Sequence, residues 1–379
     1  MNIRLFKPSV GREELQSLEA SFTAAWLGLG PRVSEFERKW SSYVGCRESV
    51  GVNSCTAALH LALSAYRFPK GKKVLVPELT FAATAMAVLY NGLEPVFVDI
   101  DEQTLCISLE DLDRKYDKDC AAVMAVHFAG HPAEMDRLVA WAKPRGVKVI
   151  EDSAHSAGGK YKGKTLGTWG DIGCYSFEEK KCMTTGDGGM ISSDDADLLK
   201  PLRHSRWVGI NKDTWERYEA NQLNNRDANS WYYEISDIGY KYNMNDMMAS
   251  IGLAQLEKLD GMNRRRESII KQYTAGLKGC AKVREALPYH PEHSSYWAYM
   301  VRVPDREAFI LHMKELGVAT GVHYMPLTLH PLFMKYKGET PSAYAIWGEL
   351  VTLPLFPDLT DEEVAYVLSC IQAYEAKSV

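Results

Sequence analysis

The sequence predicts an α/β protein, with a large parallel or mixed sheet for which there are seven strand candidates and a smaller α/β unit toward the C-terminus. Three observations predict it. Short β-rich runs alternate with helix-like segments from about residue 48 to about 195. Several of those runs are apolar throughout, as suits strands covered on both faces. Beyond them, a long helical pattern leads into a second strand–helix–strand group. The expected division is a large domain over 1–250 and a smaller one over 251–379, since 379 residues are many for a single core.

The strand candidates, in order, are "SVGVN" (49–53), "KVLVP" (73–77), "EPVFVDI" (94–100), "AAVMAVHF" (121–128), "VKVIED" (147–152), "DIGCYSF" (171–177) and "GGMISS" (188–193). Between the early ones, "TAALHLALSAYRF" and "AEMDRLVAWAKPRG" read as helices, the second closing on a glycine. A polar stretch from about 209 to 235 breaks the rhythm. The run "NDMMASIGLAQLEKLDGMNRRRESIIKQYTAGLKG" then reads as one long helix or a pair, with Asn-Arg-Arg-Arg at 263–266 as a solvated face. In the last unit "YWAYMVRV" is a strand, "DREAFILHMKELG" a helix and "VATGVHY" a strand. "TDEE" at 360–363 fits a capping box opening the final helix.

Composition narrows the function. A net charge of −5 offers no basic excess for nucleic acid. The N-terminus lacks a continuous apolar leader and no run reaches membrane-spanning length, so the expected location is the cytoplasm. Eight scattered cysteines, none in C-x-x-C spacing, read as reduced thiols, and no metal is expected.

Three segments carry chemistry. In "VGVNSCTAALHLAL" a strand runs into Asn53-Ser54-Cys55-Thr56 and a helix starts at once. Its unpaired first-turn amides and the Thr56 hydroxyl suit a phosphate, although an N-cap alone explains the residues too. In "VKVIEDSAHSAGG" a buried strand delivers Glu151 and Asp152 to its carboxyl end, with His155 three residues on. Either carboxylate could bind a metal, act as a base or neutralise a cationic ligand nitrogen. In "YSFEEKKCMTTGDGGM" two lysines sit in a turn that exits through Gly186, Gly188 and Gly189. A lysine in a semi-apolar turn is destabilised as a cation and becomes nucleophilic toward carbonyls. Cradle, strand-end Asp and turn lysine, in that order, are what a pyridoxal 5'-phosphate (PLP) site requires.

The sequence resembles the DegT/DnrJ/EryC1/StrS family of sugar-nucleotide aminotransferases, over almost its whole length. The resemblance is carried by "AWLGLGPRVSEFERKWSSYVG", "NSCTAALHLAL", "VPELTFAATA", "VIEDSAHSAGG", "YSFEEKKCMTTGDGGM", "GYKYNMNDMMASIGLAQL" and "GVHYMPLTLHP". It implies the aspartate-aminotransferase (type I) fold. The family's Schiff-base lysine stands five residues after the serine of the "SF" pair, which is Lys181 counted from Ser176. Catalysis is thus expected of Lys181, with Asp152 on the pyridinium nitrogen. The resemblance puts His155 beside the ring's 3-hydroxyl, Cys55, Thr56 and Ser176 on the phosphate, and Phe81 stacked on the ring. Lys241 or Asn243, in "GYKYN", is expected to reach the cofactor phosphate of a neighbouring subunit, so a homodimer with shared sites is implied. His323 and Tyr324 fall in the substrate-side loop. Glu178, Glu179 and Thr328 depart from the family's usual residues.

The implied reaction moves an amino group from L-glutamate to a nucleotide-linked keto sugar. The compact "TTGDGG" turn resembles members acting at C4 of an NDP-4-keto-6-deoxyhexose. A 3-keto sugar and a keto-inositol are the alternative acceptors. A PLP-binding regulator without turnover is disfavoured by the absence of a basic arm.

Overall fold

The computed structural model describes residues 1–212, 215, 217–218, 231–290 and 295–376. Seven strands form the large sheet: β1 (Glu48–Val52), β2 (Lys73–Pro77), β3 (Glu94–Val98), β4 (Cys120–Val126), β5 (Lys148–Asp152), β8 (Ile172–Ser176) and β9 (Gly189–Ser193). Between β5 and β8 lies a small hairpin of β6 (Lys160–Tyr161) and β7 (Lys164–Thr165). The order across the sheet is β1-β9-β8-β5-β4-β2-β3. Only β9 runs against its neighbours, so six strands carry their carboxyl ends to one edge. All seven expected strands are present, with ends shifted by one or two residues.

Alternation along each strand feeds two cores. Val74, Val76, Ala122, Met124 and Ile150 pack under α3 (Cys55–Ser64), α4 (Ala82–Tyr90) and α7 (Ala196–Ser205). Leu75, Val123, Ala125 and Val149 face the other way. There they meet α2 (Pro31–Val44), α5 (Leu109–Lys115), α6 (Met135–Ala142) and the first half of α8 (Asp246–Gly276). Apolar strands thus reflect a sheet with helices on both faces.

Within the run 245–279 there is one helix, α8, of 31 residues, capped by the Asn245 side chain on the Met248 amide. Its second half supplies Ile269, Ile270 and Tyr273 to a third core, built on an antiparallel sheet of β10 (Arg284–Glu285), β11 (Tyr299–Arg302) and β12 (Leu350–Leu353). Position 250 lies inside α8. Around the small sheet stand α9 (Arg306–Glu315), α10 (Pro341–Glu349) and α11 (Asp361–Ala376), while α1 (Arg12–Thr23) packs on α8. Thr360 and Glu363 form the expected capping box at α11 through reciprocal bonds of 2.9 and 3.1 Å.

Two expectations are corrected. "VATGVHY" is not a strand: β12 fills that place, and among the described residues the segment's β pairing is limited to isolated bridges of Val318 to Ile3 and Gly321 to Thr352. Its irregular path lets it leave the sheet and enter the central cleft. The Asn-Arg-Arg-Arg run is not simply a solvated face, because Asn263 and Arg266 are buried. Most of the polar stretch 209–235 lies outside the described residues.

Candidate active site

At the carboxyl edge of the large sheet, a cavity of about 400 Å³ opens between the two sheets. Its wall includes Cys55, Thr56, Phe81, Asp152, His155, Ser176, Lys181, His323 and Tyr324. Nine of the eleven expected site residues therefore line one space, although they come from positions 55 to 324. The other two do not. Lys241 Nζ lies 3.0 Å from the centre of the Trp207 ring, and Asn243 Nδ2 bonds to the Met244 carbonyl at 3.0 Å. Their segment runs alongside the end of β1, where the Asn53 amide donates to the Tyr242 carbonyl at 2.7 Å.

The cradle forms where β1 turns into α3. Ser54 caps the helix by accepting from the Ala57 amide at 3.1 Å, and the Cys55 and Thr56 amides precede the helical hydrogen-bond ladder. Gly189 is required beside them: a Cβ there would lie 2.6 Å from the Ser54 carbonyl oxygen and 2.7 Å from the Cys55 nitrogen. Only a glycine lets β9 pass under this helix start.

The end of β5 separates its two carboxylates. Glu151 is fully buried and accepts from the Gly167, Trp169 and Gly170 amides at 2.6–2.7 Å and from His127 Nε2 at 2.9 Å. The Ala133 amide donates to His127 Nδ1, which fixes that tautomer. Asp152 faces the cavity side and accepts from the Thr84 hydroxyl at 2.7 Å and the Ala154 amide at 3.2 Å, both neutral donors. Burial raises its pKa, against these bonds and the nearby Lys181. Thr80 extends the chain by a 2.8 Å bond to Thr84.

The lysine turn is held from three sides. Phe177 and Thr185 close its neck, with the Thr185 amide donating to the Phe177 carbonyl at 2.9 Å. Arg266 of α8 donates to the Cys182 carbonyl at 3.0 Å and to the Lys181 carbonyl at 3.4 Å. Trp297 donates its indole N–H to the Lys180 carbonyl at 2.8 Å. Burial lowers the pKa of Lys181, only partly offset by Glu178, Cys55, Asp152 and Cys182, which eases release of its proton. Lys180 also lines the cavity.

His155 stacks on Trp297, centroids 3.9 Å apart and planes at 3°, and its Nε2 lies 3.3 Å from the Tyr324 hydroxyl. Burial, with Lys181, His323 and His127 nearby, drives its pKa well down, and its Nδ1 is buried with no partner among the described residues. His323 pairs with the Thr352 hydroxyl at 2.9 Å, and its pKa is pushed down to about 4 by burial, then by Lys181 and Lys180. Phe81 is 55% exposed with its ring 5.8 Å from that of Tyr324, so it is a mouth residue and not core filling. Of the departures, Glu178 lines the cavity and Glu179 is exposed, while Thr328 is buried on the Glu78 carboxylate at 2.7 Å. Thr84, Arg266, Trp297 and Phe6 were missed from sequence. The indole 4.3 Å from the Lys181 amine marks Trp297 as part of the site.

The match to known proteins is extensive. The DegT/DnrJ/EryC1/StrS aminotransferase family matches over residues 8–372. The chain belongs to that family. It is a PLP-dependent aminotransferase of the type I fold, in a family of sugar aminotransferases. An uncharacterized protein of Methanocaldococcus jannaschii is 36% identical, covering 97% of this chain and 96% of its own. The spore coat polysaccharide biosynthesis protein SpsC of Bacillus subtilis is 35% identical over 96% of this chain and 95% of its own. Among solved structures, the putative sugar aminotransferase Spr1654 of Streptococcus pneumoniae, in its PMP form, has a TM-score of 0.90 at 29% identity and covers 99% of both chains.

The residues present fit the family's cofactor. A buried carboxylate with only neutral donors suits a protonated ring nitrogen, the orphaned His155 Nδ1 suits a ring hydroxyl, and the first-turn amides of Cys55 and Thr56 suit a phosphate. Among the described residues no helix is long and apolar enough to cross a membrane.

Proposed function

We propose that this aminotransferase moves the amino group of L-glutamate to a nucleotide-linked keto sugar, at C4 of an NDP-4-keto-6-deoxyhexose. The observation that carries the reading is the enclosed Lys181 amine facing the Asp152 carboxylate across one open cavity. When bound, PLP supplies an aldehyde carbon for amine capture and a ring that withdraws electrons.

In this reading Lys181 Nζ would hold the cofactor and, as free amine, would take the proton from the donor Cα. Asp152 holds a proton on the ring nitrogen. The Cys55 and Thr56 amides and the Ser176 hydroxyl would hold the phosphate, with Phe81 against the ring and His155 near its hydroxyl. His323 and Tyr324 contact substrate, and Lys241 or Asn243 completes the site of a second subunit in a cytoplasmic homodimer. The acceptor position is supported by the short turn at 184–189, where the Gly186 amide folds back on the Thr184 hydroxyl at 2.9 Å. Likeness to SpsC supports a place in surface-polysaccharide assembly.

The test offers the purified enzyme glutamate with a nucleotide-4-keto sugar, a nucleotide-3-keto sugar or a keto-inositol, and identifies the amino product by NMR. An amino group at C4 is expected. Turnover of the 3-keto sugar alone, or of the inositol alone, overturns the assignment.

A further inference from the structure

Trp297 lies two residues before β11 of the small sheet, and its ring is 3% exposed inside the cleft. Its backbone amide bonds to the Ala129 carbonyl at 3.0 Å, which fixes the residue against the large sheet's loops. One near-parallel stack joins Trp297 to His155 at 3.9 Å and to Phe6 at 5.1 Å, while His323 meets it edge-on at 5.2 Å. The indole N–H holds the Lys180 carbonyl, and the Lys181 amine sits 4.3 Å from the ring centre. A cavity-filling side chain needs neither the tether nor the amine over its face.

We propose that Trp297 is a positioning residue for Lys181, whose indole holds the lysine turn and whose π face attracts the protonated form of that nitrogen. The inference rests on the reading of Lys181 as the amine that binds the cofactor. The other groups facing Lys181 are Glu178, Lys180 and Cys182 on its own turn, Cys55 on α3, Asp152 on β5, His155 just beyond it, and His323. Trp297 adds no titrating group to this set. Its ring acts only by attracting a cation, opposing the burial that favours the neutral amine.

The experiment titrates the visible cofactor band of the holoenzyme from about pH 5 to about pH 10, with melting curves alongside. Trp297→Leu keeps water out but removes the π face, so the midpoint falls by about half to one pH unit. Trp297→Phe restores an aromatic face and brings the midpoint back toward the parent, although the N–H tether is gone. Trp297→Met replaces the leucine variant if that one does not fold. Equal shifts in the Phe and Leu variants, or midpoints unchanged or undetectable in all three proteins, overturn the proposal. A parent without any visible band overturns the reading of Lys181 itself, and this inference with it.

Discussion

Glu151 and Asp152 are neighbours on β5 that face opposite sides of the sheet, and their surroundings could hardly differ more. Glu151 takes three amides and an imidazole, so its carboxylate is used up in fastening the 167–170 loop and the His127 segment to the strand. Asp152 takes one hydroxyl and one amide and, among the described residues, makes no direct ion pair, at the floor of a cavity. The same chemical group is a structural anchor on one face and a reactive-site residue on the other. What separates them is how completely the fold satisfies each.

That contrast can be broken or sharpened by substitution. The largest effect belongs to the amine opposite Asp152: Lys181→Ala should lower kcat by about four orders of magnitude and abolish the cofactor-linked visible band, whereas Lys180→Ala keeps the band. Asp152→Asn comes next, with kcat down about 10³-fold and a melting temperature near the parent's, measured by steady-state kinetics and calorimetry. Glu151→Gln should reverse that pattern. It puts a donor against backbone donors, costs about 3 kcal/mol in denaturant unfolding, and touches kcat only through lost structure. If both variants lose activity and stability in the same ratio, the division between the two carboxylates is wrong. Thr84→Val removes one of the two donors to Asp152 and should lower kcat about tenfold without changing KM for glutamate.

A last effect concerns pH. Because the folded protein holds His323 near 4 while the unfolded chain titrates near 6.5, the unfolded state binds the extra proton between those values. Stability therefore rises with pH across that window and is lost on acidification through it. His323→Asn should flatten this part of the stability curve, as followed by urea unfolding at several pH values.

Much of this was legible in sequence, for local reasons. Strands such as Val74–Pro77 and Ala121–Val126 announce themselves as unbroken apolar runs, and Asp152, His155 and Lys181 sit at or shortly after the ends of neighbouring strands. The residues that were missed come from far along the chain and are chemically ordinary. Arg266 lies in a run of charges on a helix, Trp297 in an aromatic strand pattern, and Thr84 in a small-residue helix. Nothing about their neighbours in sequence reveals that folding sets them on the Lys181 turn or on Asp152. "VATGVHY" misled for the opposite reason: its β-branched pattern suits a strand, but tertiary packing gives that slot to Leu350–Leu353.

Helix α8 is a rod about 46 Å long at 1.5 Å per residue. Ala249 and Leu253 anchor it in the large core, Ile269 and Tyr273 in the small one, and Arg266 grips the lysine turn between them. Unravelling the small core frees the rod's far end and, with it, the guanidinium clasp on the reactive amine. Inactivation and melting of the C-terminal third are on this account a single event, even while the seven-stranded sheet stands.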